Sequence, residues 1–149
     1  MEEKGRSLTV AGLFGTHRYQ LDPKGRMSLP KGFREAFSDG AYLTLGFDGC
    51  VWVFPLDEWA RRSDEVKSRP LSDAQGRALG RLFFGNAESV ELDSQGRLLV
   101  PQRLRTQAGI GREAVAVGVD DHLEIWDGET WGRYEDVHGV AYRAGTLGE

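Results

Sequence analysis

The chain has 149 residues, 40% of them hydrophobic, with four tryptophans and a formal net charge of −4. This is enough apolar content for one compact unit or two small modules sharing a core, and too much for a disordered chain. No apolar run is long enough to span a bilayer, no signal-peptide pattern opens the chain, and the acidic balance argues against a uniformly basic nucleic-acid binder.

In chain order, residues 1–7 are polar and read as a frayed terminus, and 8–14 form a short apolar run interrupted by Gly12. Arg18-Tyr19-Gln20-Leu21 alternates like a strand. Asp22-Pro23-Lys24-Gly25 has turn chemistry: Pro23 presets φ at the second position, and Gly25 tolerates a positive φ. A return strand over 26–29 then predicts a local hairpin with a polar, basic tip. Pro30 suits the first turn of a helix over 30–37, with Phe33, Ala36 and Phe37 on one face. Strands over 42–47 and 51–54 flank Asp48-Gly49, a two-residue hairpin signal. Pro55 stops the second, and a helix over 56–66 turns Leu56, Trp59 and Ala60 inward. Ser72-Asp73-Ala74-Gln75 resembles a capping box. It opens a helix with Ala78, Leu79, Leu82 and Phe83 inward and Arg77 and Arg81 outward, ended by Gly85-Asn86. The order then replays. Strands over 88–92 and 97–100 flank the turn Asp93-Ser94-Gln95-Gly96, and a helix follows over 101–108. Strands over 114–119 and 123–126 precede a helix capped by Asp127 and running to about Tyr134. A loose tail is expected from His138.

The replay is an internal repeat. Leu-Asp-x-x-Gly-Arg, three mostly apolar residues and Pro occur at 21–30 and again at 92–101. Agreement continues through Phe33-Arg34 against Leu104-Arg105 and ends at Trp59 against Trp131. Two long copies are too few for a solenoid, so they read as two copies of one small module. Neither copy makes a convincing core alone, which implies a pseudo-twofold pair with its two basic tips related by that symmetry. The boundaries are 13–66 for the first module, 67–87 for a linker helix, 88–134 for the second module and 135–149 for a flexible tail.

Charge follows the repeat. Arg18, Lys24, Arg26, Lys31 and Arg34 face only Asp22 between positions 17 and 34, and Arg97, Arg103, Arg105 and Arg112 face only Asp93 between 93 and 112. The acids gather later, at Asp120, Asp121, Glu124, Asp127, Glu129, Glu135 and Asp136. Arg26 and Arg97 leave the turns with guanidinium forks able to donate two bonds to guanine. The alternative is pairing with Asp22 or Asp93, or with turn carbonyls. Lys24, Lys31, Arg34, Arg103 and Arg105 suit phosphates, or solvated surface. Asp22 and Asp93 read as turn-formers bonding local N–H groups. Cys50, the single cysteine, reads as a small core residue and makes a reducing compartment the expectation. His17, His122 and His138 have no metal-ligand spacing, no nucleophile constellation is legible, and no P-loop is present.

The doubled Asp-x-x-Gly-Arg-x-x-x-Pro pattern resembles the swapped-hairpin DNA-binding modules of the AbrB type, in which two chains exchange β-hairpins to form one barrel. The tandem arrangement is similar to the MraZ family of bacterial transcriptional regulators, over nearly the whole chain. The Trp59 and Trp131 helices and the linker helix ending in Phe84-Gly85 are also family-like. The resemblance implies a mainly β fold with short helices (α+β): two tandem swapped-hairpin modules in a pseudo-twofold β-barrel with flanking helices. It implies a non-enzymatic regulator, a repressor or autoregulator of the division and cell-wall gene cluster. That regulator binds double-stranded promoter DNA at G-containing direct repeats. It acts as a homo-oligomeric ring, cytoplasmic and nucleoid-associated, without cofactor, small-molecule ligand or membrane partner. The competing expectation is an antitoxin-like protein-interaction module of the same fold class, with an enzyme third.

Overall fold

Strand-forming stretches in this chain mostly find partners in the other copy of the repeat. A computed structural model describes residues 12–148; the frayed terminus expected at 1–7, and the start of the apolar run after it, lie outside the described residues. The strands are β1 (Leu13–Gln20), β2 (Arg26–Ser28), β3 (Ala41–Leu45), β4 (Val51–Pro55), β5 (Glu88–Val90), β6 (Arg97–Leu99), β7 (Glu113–Asp120) and β8 (Leu123–Asp127). The helices are α1 (Lys31–Ala36), α2 (Leu56–Lys67), α3 (Ala74–Gly85), α4 (Gln102–Gln107) and α5 (Gly128–Ala144).

Six strands form an antiparallel sheet in the order β1-β7-β8-β4-β3-β5, and β2 pairs with β6 in a separate ribbon. Only β3–β4 and β7–β8 are hairpins within a copy. The pairs β1–β7, β3–β5, β4–β8 and β2–β6 all join one copy to the other. The expected local hairpin at 18–29 is therefore replaced. β1 leaves to pair with β7, with Leu13 opposite Asp120 and Gln20 opposite Glu113, while β2 pairs with β6. The hydrogen-bonded strands make this sheet and ribbon rather than one closed barrel.

Burial explains the exchange. Met27 and Leu98 are opposite one another at the centre of the ribbon and are 1% and 0% exposed. With Leu29, Phe33, Phe37, Val100 and Leu104 they join Leu43, Leu123 and Ile125 in one core drawn from both copies. A module of half this size buries a smaller fraction of its surface and is correspondingly marginal alone.

The short helices form where expected, each with a proline at its N-cap, Pro30 and Pro101. Other expectations need correction. The β3–β4 turn is longer than two residues: β3 ends at Leu45, Gly46 N donates to Cys50 O at 2.8 Å, and Asp48 and Gly49 both have positive φ. On α2, Leu56 and Ala60 are exposed and the buried positions are Glu58 and Ser63. Glu58 accepts from Arg61 Nη2 and Arg62 Nε, both at 2.6 Å, so its charge is paired where it is desolvated. Trp59 is half-buried, stacked between Tyr42 and Phe83 at 4.7 and 4.9 Å. Asp73, not Ser72, caps α3 by accepting from Gln75 N. Phe83 is buried on α3, whereas Ala78 and Leu82 are exposed. The helix expected to end near Tyr134 continues to Ala144, into the segment read as tail. Tyr134 packs on His138 at 4.2 Å. The helix ends at Gly145, whose φ of 77° is the left-handed cap glycine supplies without strain.

Candidate nucleic-acid interface

Each repeated turn is built by its aspartate. Asp22 Oδ1 accepts from Lys24 N at 3.0 Å and Arg26 N at 2.9 Å, and Asp22 O accepts from Gly25 N at 2.8 Å. Asp93 repeats this with Gln95 N, Arg97 N and Gly96 N, each at 2.9 Å. Gly25 and Gly96 have φ of 89° and 76°, a region that penalises a Cβ.

The second carboxylate oxygen aims the arginine. Arg26 Nε donates to Asp22 Oδ2 at 2.7 Å, and Arg97 Nε to Asp93 Oδ2 at 2.7 Å. The amide of Arg26, and then its side chain, hold the Asp22 carboxyl down at about 2 against the cost of burial. The Arg97 amide lowers Asp93 in the same sense. Both aspartates therefore stay ionised at neutral pH, and both ion pairs persist. Among the described residues, neither terminal nitrogen of Arg26 has a hydrogen-bond partner. For Arg26 the pairing and base-contact readings are thus compatible: the pair uses Nε and leaves the end of the fork.

The β2–β6 ribbon brings the two arginines together. Arg26 lies opposite Leu99 and Arg97 opposite Ser28. Because side chains alternate along a strand, Met27 and Leu98 point into the core, and Arg26, Ser28, Arg97 and Leu99 share the outer face. Arg97 Nη1 lies 4.0 Å from Asp22 Oδ2, so the two turns are neighbours.

The remaining basic residues fall into two groups. Lys24, at the first tip, and Lys31, which opens α1, are exposed. Arg103 is exposed on α4, with Nη1 3.5 Å from Gly85 O. Arg34 and Arg105 are bound to the protein: Arg34 Nε donates to Leu29 O at 2.9 Å and Arg105 Nε to Val100 O at 2.8 Å. One residue escaped the sequence reading, and another, counted in the basic cluster, was given no role. Leu99 is 40% exposed in the middle of the polar outer face, and periodicity alone assigns it to neither side. Arg112 donates to Gln20 at 3.3 Å beside a cleft lined by Asp22, Pro23 and Arg105. Its place in the basic cluster was the signal available.

No group of three metal-ligating side chains is found among the described residues. Burial alone would lower the His122 pKa, but Glu124 and Asp121 outweigh it and raise it. Cys50 is buried, and desolvation pushes its thiol pKa far up, which leaves it inert as a nucleophile. Among the described residues, no helix is long and apolar enough to cross a membrane.

Gly25→Val is expected to cost about 1–3 kcal/mol from the positive φ. It should also push aside Arg105, whose Cζ would lie 2.5 Å from the new Cβ. Thermal unfolding and DNA binding measured together check this; wild-type values in both would mean that Gly25 does not hold this conformation.

A family model described as "MraZ protein, putative antitoxin-like" matches residues 13–82 and 83–140. A protein named transcriptional regulator MraZ from Clostridium acetobutylicum is 41% identical over 138 residues, covering 90% of this chain and 97% of its own. One of the same name from Alkaliphilus metalliredigens is 40% identical over 128 residues, 86% of this chain and 90% of its own. Another, from Thermus thermophilus, is 43% identical over 120 residues, 79% of this chain and 83% of its own.

Proposed function

The chain belongs to the MraZ family, and from that premise we propose that it is a sequence-specific DNA-binding transcriptional regulator rather than an enzyme. The observation that carries the proposal is the cross-copy ribbon. It sets Arg26 and Arg97 on one outer face, each fork aimed by an ionised aspartate. A two-stranded ribbon fits the major groove, where a guanidinium can donate to guanine O6 and N7. Lys24, Lys31 and Arg103, all exposed, would serve as phosphate contacts, which supply affinity and register without reading sequence. Arg34 and Arg105 can add charge to the same field. The acidic surface elsewhere keeps the protein from binding nucleic acid indiscriminately.

The finer reading is a swapped-hairpin module pair of the AbrB type, acting as a repressor or autoregulator at G-containing direct repeats upstream of its own operon, in the division and cell-wall gene cluster. Its setting is cytoplasmic and nucleoid-associated, and it needs no cofactor. Oligomerisation, as a ring, would use a surface apart from the ribbon. The groove between α2 and α3, lined by Val66, Leu71 and Phe84 with Leu71 84% exposed, supports that choice. A gel-shift titration on the duplex upstream of the gene, with scrambled competitor and varied salt, tests the function, and sedimentation across micromolar concentrations tests the assembly. Selective retardation and a species heavier than the monomer are expected. Equal affinity for both duplexes would move the antitoxin-like protein-interaction reading ahead.

A further inference from the structure

Arg34 and Arg105 each sit on the turn of the other copy. Arg105, on α4 of the second copy, lies over Gly25: a Cβ built there would meet its Cζ at 2.5 Å and its Nη2 at 2.6 Å. Its Nη2 also donates to Lys24 O at 3.4 Å. Arg34, on α1 of the first copy, lies over Gly96 in the same way, where a Cβ would meet its Cδ at 2.5 Å. Each arginine is anchored at home by Nε, Arg34 to Leu29 O and Arg105 to Val100 O. Those carbonyls flank the cross-copy contacts Leu29 N to Gly96 O at 3.5 Å and Val100 N to Gly25 O at 2.9 Å. The arrangement is reciprocal, and it uses the glycines twice: for their φ, and for the space that a guanidinium stem fills.

We propose that Arg34 and Arg105 are positioning residues that brace the opposite copy's turn, so that the two DNA-reading arginines are held as one unit. Arg105 shapes the turn that carries Arg26, and Arg34 the turn that carries Arg97. This rests on the reading of those turns as the DNA-facing element. It assigns Arg34 and Arg105 a role that a phosphate contact does not have. A phosphate contact needs charge and reach, whereas a brace needs the planar fork and its Nε anchor, which lysine lacks. The bracing is unequal. Arg105 adds a bond to the Lys24 carbonyl, while Arg34 makes no such bond to the second tip among the described residues. The first turn is therefore the more tightly held.

The charge-conserving variants Arg105→Lys and Arg34→Lys separate the two roles. Hydrogen–deuterium exchange on the free protein should show Arg105→Lys accelerating exchange at 22–25 more than at 93–96, and Arg34→Lys the reverse. Acceleration confined to each variant's own copy, or none, overturns the brace whatever DNA does. With DNA, Arg105→Lys should lose about tenfold in affinity for the upstream duplex relative to the scrambled one, with an unchanged salt slope. In double-variant cycles this loss should be non-additive with Arg26→Ala and additive with Arg97→Ala. Wild-type discrimination in Arg105→Lys would return the residue to the phosphate class. If Arg26→Ala itself binds as wild type, the reading head is wrong while the exchange result still decides the brace. Lysine retains the aliphatic stem, so folding should survive. If thermal unfolding nonetheless shows loss of fold, Arg105→Met and Arg34→Met, which keep the stem without the charge, are put through the same exchange comparison, with the same two outcomes.

Discussion

Arg26→Ala is expected to remove discrimination between cognate and scrambled DNA, whereas Lys24→Ala should weaken both alike. Arg26 is aimed by Asp22 at 2.7 Å and is half-buried at the start of β2, so its fork is held before DNA arrives. Losing a bidentate guanine contact should cost roughly 1–3 kcal/mol for each engaged subunit. In a multisubunit assembly on repeated sites those losses multiply, and specific binding can fall below detection. Lys24 is exposed at the tip and carries a point charge, so its removal should lower the salt slope by about one per lost phosphate contact. Gln95 occupies the matching place in the second copy, so the first turn should contribute more affinity than the second. Binding isotherms on both duplexes at several salt concentrations, with folding checked separately, distinguish these outcomes. Arg97→Ala belongs in the same series and should lose discrimination by a smaller factor.

Leu98→Ala is expected to destabilise the fold by about 2–5 kcal/mol, the range for deleting a fully buried leucine side chain. Leu98 is 0% exposed and faces Met27 across the ribbon. The cavity would open where the two copies meet, beneath the turns at 22–25 and 93–96. Met27→Ala should cost a similar amount, and the double variant less than the sum, because the two side chains share one space. DNA binding should weaken along with stability, since the ribbon that carries Arg26 and Arg97 rests on this pair. Leu82→Ala is the control: Leu82 is 62% exposed, and within a monomer its loss should stay within about 0.5 kcal/mol. Chemical denaturation of the four variants measures this. A Leu98→Ala protein as stable as the Leu82→Ala protein would mean that the ribbon is not part of the core.

The parts of the structure legible in the sequence were those governed by local chemistry. The turn at 22–25 follows from an aspartate side chain bonding amides two and four residues on, and from a glycine that accepts positive φ. The same residues at 93–96 repeat it, which made the doubling visible without any coordinates. Proline N-caps set the starts of α1 and α4, and the clustered positive charge marked both turns as basic.

Partner choice was not legible. The alternation in 18–21 and 26–29 says that one face is buried, but nothing in it says whether the covering strand lies in the same copy or the other. A hairpin was the local solution. The cross-copy ribbon buries Met27 and Leu98 against each other in a core drawn from both copies. The inward face of α2 was misread for a related reason. Periodicity assigns apolar residues to the core, whereas here Glu58 is buried because Arg61 and Arg62 satisfy it there. The extent of α5 was not legible either: the small residues after His138 read as a loose tail, yet the helix runs on to Ala144 and ends only at the left-handed Gly145. Sequence by itself thus determined the turns, the repeat and the positive charge gathered on both turns. Tertiary structure decided which strands meet and what Arg34 and Arg105 touch, because burial and pairing across some seventy residues depend on the whole chain having closed.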